Sequence, residues 1–173
     1  MNTRDVAPSL TAVMNELVNG TAPTGGLLLN SGDRGILHAL DKLTARDASV
    51  IVNGGSSIAA HVAHVAFYAN IINRVAAGEN PWDTADWTAS WKKPAVSAEE
   101  WENLKRELAD EHSKWLSVNG QPREITTSEL SYMIASIAHL AYHLGAIRQM
   151  DRHLRGPGAS KEIEAATAPE IRL

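Results

Sequence analysis

The stretch that begins at Thr126 constrains the fold of this chain more than any other. Thr126-Thr127-Ser128-Glu129 has the spacing of a capping box, in which a threonine hydroxyl and a glutamate carboxylate satisfy the first free N–H groups of a helix. The residues that follow are largely apolar, and Gly156-Pro157-Gly158 is a strong stop signal. The pattern predicts one long helix that runs through Leu154.

Apolar residues at helical spacing, bounded by capping and stop signals, predict four more helices. The predicted spans are Pro8 to Val18, Asp33 (as the N-cap) to about Ala45, Ser56 to about Ala77, and Ser97 to Asn119. Val50-Ile51-Val52 is briefly strand-like, but Asn53-Gly54-Gly55 follows at once and no partner strand is evident, so we interpret it as a buried loop. Four substantial helices, one short helix and no credible sheet predict an all-α bundle.

A connection rich in tryptophan joins the two middle helices of this bundle. Between Glu79 and Val96 it carries Trp82, Trp87 and Trp91 among acidic residues, lysines and prolines. Such rings either anchor a long connection on the bundle surface, or line the mouth of a pocket and stack on a ligand. The sequence leaves both roles open.

The length, the net charge and the absence of long apolar runs exclude several classes of protein. With 173 residues, the chain suits a single domain over 1–173, with a small, polar tail at 159–173 that we expect to be loosely ordered. A net charge of -4 and scattered lysines and arginines argue against a nucleic-acid or anionic-membrane partner. The N-terminus lacks a secretory signal, and no run approaches the roughly 20 apolar residues of a membrane span. We therefore expect a soluble cytoplasmic protein.

His139 and His143 are the strongest candidates for a functional site. The chain has no cysteine, so a metal site has to use His, Asp, Glu or water. Four residues apart on one helix, the two imidazoles lie on the same face and can reach one metal ion. Both sit in an apolar run, where an unpartnered imidazole would be costly. They are therefore either metal ligands or hydrogen-bonded core histidines.

A third ligand is expected from another helix, because a firmly held divalent ion normally has three or more protein ligands. The helix from Ser56 offers His61 and His64, which are three residues apart and lie on nearly the same face. Three neutral imidazoles leave a position open for water or substrate, as in catalytic sites. Leu140 stands where helical zinc proteases carry a general-base glutamate, which excludes that mechanism. His112, alone on its helix, is interpreted as a core histidine.

Two segments resemble the DinB/YfiT-like superfamily of bacterial four-helix bundles. They are Ser57-Ile-Ala-Ala-His-Val-Ala-His-Val and His139-Leu-Ala-Tyr-His-Leu-Gly-Ala-Ile-Arg-Gln, and the order of the predicted helices also agrees. The similarity covers roughly residues 30–155, which we take as the core of the domain. The resemblance implies a DinB/YfiT-like four-helix bundle, here with an extra short N-terminal helix and a long Trp-rich crossover loop.

The resemblance also implies a metal triad with one histidine from the second bundle helix and two from the last. In the register of the family, these are His64, His139 and His143. His61 is then the alternative ligand or a residue behind the ligands. Three imidazoles suit several divalent ions, of which we expect zinc or nickel.

Members of this superfamily include thiol-dependent S-transferases and isomerases and metal-dependent hydrolases. The resemblance therefore implies a metal-dependent enzyme that activates a thiol or water against a small electrophilic substrate, the thiol being a separate low-molecular-weight compound. The candidate catalytic residues are Tyr68, Tyr142 and Arg148, which lie near the histidines in sequence. The alternative is a non-catalytic metal-binding or stress-response bundle. Apolar stripes on several helices leave a homodimer open.

Overall fold

A computed structural model of the chain describes residues 1–154. They form α1 (Ala7–Asn19), α2 (Gly35–Asp41), α3 (Ala45–Ala48), α4 (Ile58–Ala76), α5 (Ala98–Asn119) and α6 (Thr127–Met150), with short 3₁₀ turns at Ala89–Trp91 and Arg152–Leu154. Within residues 1–154, backbone pairing outside the helices is limited to isolated bridges and no strand forms, which confirms the all-α prediction. The predicted stop at 156–158 and the predicted tail at 159–173 lie outside the described residues.

The starts of the long helices follow from local hydrogen bonds. Ser97 and Thr126 open α5 and α6 with capping boxes, as predicted. Glu100 and Glu129 complete these boxes by accepting the N–H of the capping residue, at 2.7 Å and 2.8 Å. Ser57 caps α4 by accepting an N–H three residues further on, at 3.2 Å.

The segment after Asp33 forms two short helices instead of the predicted single helix to Ala45. α2 stops early, and α3 starts afresh because Thr44 and Asp47 form a capping box of their own. Asp33 does not cap α2 in the expected way. Its carboxylate accepts the N–H of Gly35 at 2.9 Å and is shared with an arginine of α6.

Two further expectations are wrong in detail. α6 ends at Met150 rather than Leu154, because Asp151 adopts an extended backbone (φ -131°, ψ 115°). Val50 and Ile51 belong to a loop, as predicted, but they are 52% and 55% exposed rather than buried. An isolated bridge ties Ile51 to the cap of α4, which holds this loop outside the core.

The core lies where α4 packs against α5 and α6, with α1 packed against α5 and α6. It is filled by fully buried side chains from these helices and α2, among them Met14, Ile36, Val62, Leu108, Trp115, Leu140 and Leu144. α6 is the one helix in residues 1–154 that is long and apolar enough, by itself, to cross a membrane. Because its buried side chains include Ser136 and His143 and it packs against α1 and α4, we assign α6 to the bundle core.

One buried carboxylate organises the loop between α1 and α2. Glu16 is 7% exposed and accepts backbone N–H groups from Leu27, Leu28 and Leu29 at 2.8, 2.7 and 2.6 Å. A Cβ atom at Gly26 would collide with the Glu16 carboxylate, so a larger residue here would have to displace the carboxylate that accepts the three N–H groups. Burial alone would raise the pKa of the Glu16 carboxyl, but the three hydrogen bonds outweigh it and the pKa is lowered.

Candidate metal centre

Four histidines meet where α4 faces α6. His61 and His64 lie about one turn apart on α4, and His139 and His143 lie one turn apart on α6. The apolar stripes of the two helices pack together and bring these polar rings to the same level of the bundle. His143 is buried and the other three rings are half-buried.

Three of the four rings converge on one point. The Nε2 atom of His139 lies 3.2 Å from Nε2 of His64 and 3.2 Å from Nε2 of His143. One nitrogen from each ring lies within 4.8 Å of the other two. A tetrahedral ion with metal–nitrogen bonds of about 2.0–2.1 Å has nitrogen–nitrogen separations of roughly 3.3 Å. The spacing of these nitrogens therefore fits a single divalent ion.

The crossover holds the opposite nitrogen of His64. Nδ1 of His64 lies 2.9 Å from the Ser90 hydroxyl oxygen, which lies 2.9 Å from the carbonyl oxygen of Trp87. A carbonyl only accepts, so the Ser90 hydroxyl donates to Trp87 and accepts the Nδ1–H of His64. The proton of the neutral His64 ring is thus on Nδ1, and Nε2 presents a lone pair to the other two histidines.

His61 lies behind His143 and outside the group of three. The Nδ1 atoms of the two rings are 2.8 Å apart. Because Nε2 of His143 faces His139, Nδ1 of His143 is the atom that can donate to His61. The residue pattern left both histidines of α4 as candidates for the third ligand. The structure groups His64 with the pair on α6 and places His61 beside His143.

The sequence left two roles open for the tryptophans of the crossover, which are to anchor the connection or to line the site. Different tryptophans take each role. Trp91 stacks on His64 with ring centroids 4.3 Å apart and planes at 24°, and it meets the ring of His61 edge-on at 5.3 Å. Trp82 stacks on Trp87 at 6.1 Å, away from the histidines. Trp82 and Trp87 anchor the crossover, while Trp91 forms a wall of the site.

The cluster is neutral at pH 7. Burial, followed by the neighbouring His64 ring, lowers the pKa of His139 to about 4. Burial, followed by the surrounding histidines, lowers the pKa of His143 to about 3. Burial also lowers the pKa of His61 and His64. Neutral imidazole is the form that binds a metal ion, so these rings are already in the protonation state that metal binding requires.

The two tyrosines proposed from the sequence both contact histidine rings. Tyr68 is half-buried, and its ring packs on His139 with centroids 4.1 Å apart. Tyr142 is 70% exposed, and His143 lies edge-on to it at 5.0 Å. Tyr68 is therefore part of the wall, and Tyr142 lies on the solvent side.

Arg148 and His112 make contacts within the fold and lie outside the three-histidine group. Arg148 forms an ion pair with Asp33 at 2.8 Å, with both side chains largely buried, and so ties α6 to the loop before α2. His112 is 2% exposed, and its Nδ1 atom lies 2.8 Å from the carbonyl oxygen of Leu108. His112 thus lies in the core and outside the three-histidine group, in line with its interpretation from the sequence.

Ser90 was not predicted, although the sequence carries a signal for its turn. Asp86 Oδ1 accepts the N–H groups of Thr88 and Ala89 at 3.0 Å and 2.9 Å, which starts the turn that contains Ser90. An Asp-x-Thr sequence favours such a turn. Nothing in that local pattern indicates that the turn would meet His64.

Comparison with known proteins places this architecture in a family. Searches of the curated proteins and of the solved structures gave no match. The family model DinB_2, described as the DinB superfamily, matches residues 32–147. The matched region runs from α2 to near the end of α6 and contains all four clustered histidines. The chain belongs to the DinB superfamily.

Proposed function

We propose that this protein is a metal-dependent enzyme whose ion, zinc or nickel, is held by His64, His139 and His143. The observation that carries the proposal is that Nε2 of His139 lies 3.2 Å from Nε2 of both His64 and His143. The pKa values of these rings are lowered, so the rings are neutral at pH 7. Three protein ligands leave one position for water or substrate, which is the arrangement of catalytic rather than structural zinc sites. In this proposal, His61 is the hydrogen-bond partner of His143 and not a ligand.

A bound ion would lower the pKa of a water or thiol and polarise a substrate carbonyl. The side chains of the protein decide which molecules reach it. Trp91 and Tyr68 cover His64 and His139 with aromatic rings, so the remaining space suits a small substrate. The chain has no cysteine, so a reacting thiol has to arrive as a separate low-molecular-weight compound. We infer S-transfer to, or hydrolysis of, a small electrophile as the class of reaction.

Among the candidate catalytic residues, we retain Tyr68 and Tyr142 for orienting the substrate, because their rings contact His139 and His143. We assign Arg148 a structural role, because its side chain is 15% exposed and its guanidinium is engaged by the carboxylate of Asp33.

The partners and location follow from the same proposal. We propose a small-molecule substrate and a cytoplasmic location. A net charge of -4 does not favour a nucleic-acid or membrane partner, and we propose none. A homodimer is the alternative to a monomer, because Ile134 and Tyr142 leave apolar surface exposed on α6. Light scattering after size-exclusion chromatography, at two protein concentrations, distinguishes the two states.

Titration calorimetry of untagged, metal-free protein with Zn²⁺ and Ni²⁺ tests the site. One ion per chain is expected for the wild type, and none for His139→Ala or His143→Ala. His38→Ala is the matched control, because His38 lies on α2 outside the cluster and should not alter binding. Occupancy below about 0.2 equivalents, or unchanged binding by His139→Ala, overturns the metal site.

Turnover is tested separately with metal-loaded protein. A panel that pairs low-molecular-weight thiols with electrophiles, together with simple esters and amides, covers both reaction types. Activity should disappear with a chelator and return with the metal. A fully loaded protein that converts none of them above background contradicts the enzyme proposal and favours a non-catalytic metal-binding or stress-response bundle.

A further inference from the structure

The four clustered histidines make no polar contact with a charged side chain within residues 1–154. Nδ1 of His64 lies 2.9 Å from the Ser90 hydroxyl oxygen, and Nδ1 of His143 lies 2.8 Å from Nδ1 of His61. Their other hydrogen-bond contacts join these rings to one another. No ion pair in the described part of the chain includes a histidine of this cluster. The cluster therefore has no carboxylate partner among these residues.

Aromatic side chains flank the three proposed ligands without adding a charge. The ring centroids of Trp91 and His64 are 4.3 Å apart, those of Tyr68 and His139 are 4.1 Å apart, and those of Tyr142 and His143 are 5.0 Å apart. Burial raises the pKa of Tyr68, so its phenol is uncharged at pH 7. These rings shield the histidines from water, and electrostatic interactions are stronger where water is partly excluded.

The causes of the lowered pKa values agree with these surroundings. Burial and neighbouring histidines lower the pKa of His139 to about 4 and that of His143 to about 3. A nearby carboxylate would act in the opposite direction, because it favours the charged imidazolium. His112, outside the cluster, differs in this respect. Burial lowers its pKa, but the carbonyl of Leu108 and the carboxylate of Glu111 both act to raise it.

Three neutral imidazoles would leave a divalent ion with its full charge. In catalytic zinc sites that use a glutamate or a cysteine, the ligand itself offsets part of that charge. Ligand histidines also commonly donate their outer N–H to a carboxylate, which offsets more of it. Here the acceptors for His64 and His143 are Ser90 and His61, which are neutral. The uncompensated positive charge favours a negatively charged ligand at the remaining position.

We propose that the open position of this centre prefers a small monovalent anion to a neutral ligand, and that Ser90 and His61 set the preference by accepting hydrogen bonds without adding negative charge. Thiolates and carboxylates share this chemistry. The inference rests on the proposed function, since it needs an ion at the three histidines, and it adds the charge of the ligand to that function. Ser90 and His61 are then specificity-determining residues that act through His64 and His143.

Cobalt-loaded protein tests the preference, because Co²⁺ binds to the same kinds of ligand and its visible absorption changes when a further ligand binds. The cobalt content is measured first, and one ion per chain is expected. Azide is then the anionic probe and pyridine the neutral probe, each titrated at saturating cobalt. Azide should change the spectrum saturably, and a fully loaded wild type whose spectrum azide does not alter overturns the proposal. Displacement of azide by 2-mercaptoethanol identifies a thiolate as the natural class of anion, and displacement by acetate identifies a carboxylate.

The role of Ser90 is tested with Ser90→Asp and Ser90→Asn, which have side chains of the same size and differ in charge. Both can accept the Nδ1–H of His64, but only aspartate brings a negative charge to the centre. Azide affinity is expected to be about tenfold lower in Ser90→Asp than in Ser90→Asn. Pyridine affinity should differ by less than about twofold, because pyridine carries no charge. An equal loss of affinity for both probes overturns the explanation by charge.

His61→Glu and His61→Gln form a second pair of equal size, placed at the outer nitrogen of His143. The same difference in azide affinity is expected, and this pair decides the matter if the Ser90 variants do not fold. Equal azide affinities within both pairs overturn the inference and leave the proposed metal site intact, since each protein still binds one cobalt ion per chain. A wild type that binds no cobalt overturns the proposed function and this inference together.

Discussion

The Nδ1 atoms of His61 and His143 lie 2.8 Å apart on facing helices, so one ring donates a proton to the other. If His143 binds an ion through Nε2, it is the donor and His61 the acceptor. We therefore expect His61→Ala to keep a stoichiometry of one ion per chain while its affinity falls by about 10- to 100-fold. His61→Gln, whose side-chain oxygen can accept, should recover part of the loss. Calorimetry gives both quantities, and a stoichiometry near zero in His61→Ala would instead make His61 a direct ligand.

Ser90 is expected to influence metal binding through His64. Ser90→Ala removes the acceptor of the His64 Nδ1–H, which frees the ring to turn and to change tautomer. We predict a fall in zinc affinity of about tenfold, measured by chelator competition. Ser131→Ala is the matched control, since that exposed hydroxyl only donates to a carbonyl within α6. Equal affinities for the two variants would refute the role of Ser90.

The Asp33–Arg148 ion pair is expected to stabilise the fold without taking part in metal binding. Arg148→Met leaves the Asp33 side chain, which is 4% exposed, without its charged partner, and such a loss costs about 3–5 kcal/mol in the free energy of unfolding. Arg74→Met is the control, because its pair with Glu79 is exposed and such pairs contribute about 0–1 kcal/mol. Urea denaturation measures both. A loss of zinc stoichiometry in folded Arg148→Met would contradict this assignment.

The Glu16 carboxylate is expected to make stability depend on acid pH. Its pKa is lowered in the folded protein, so the unfolded chain binds more protons as the pH falls. The stabilisation by Glu16 is therefore fully present above its ordinary pKa of 4.5 and is lost as the pH falls through the lowered value. Glu16→Gln should cost about 1–3 kcal/mol at pH 7, because its amide can no longer accept all three loop N–H groups.

The control for Glu16 is Glu107→Gln, which changes an exposed carboxylate on α5. Denaturant unfolding at a series of pH values should show the difference between wild type and Glu16→Gln shrinking below pH 4.5. A difference that does not change with pH would mean that the loop does not depend on the charge of Glu16.

The elements that the sequence predicted well are those set by neighbours in the chain. The capping boxes at Ser97 and Thr126 use residues three apart, and the stop and start signals around α1 and α4 are equally local. The error after Asp33 has the same basis, because a third local capping box, at Thr44, starts a new helix at Ala45, where the predicted helix was expected to end. The His139 and His143 pair was recognisable because four residues on a helix bring two side chains together.

The sequence by itself thus determined the helices, the all-α class and the pair of histidines on α6. The family resemblance implied His64 as the third member, whereas the residue pattern alone left His61 and His64 open, and the tertiary structure groups His64 with the pair. Only the tertiary structure showed that Ser90 and Trp91 reach the site and that Arg148 is engaged by Asp33. These contacts join residues far apart in the chain. They depend on the rotation of α4 against α6 and on the path of the crossover. Both are set by the packing of whole helix faces. The signals that start and stop a helix, in contrast, act within one or two turns of the chain.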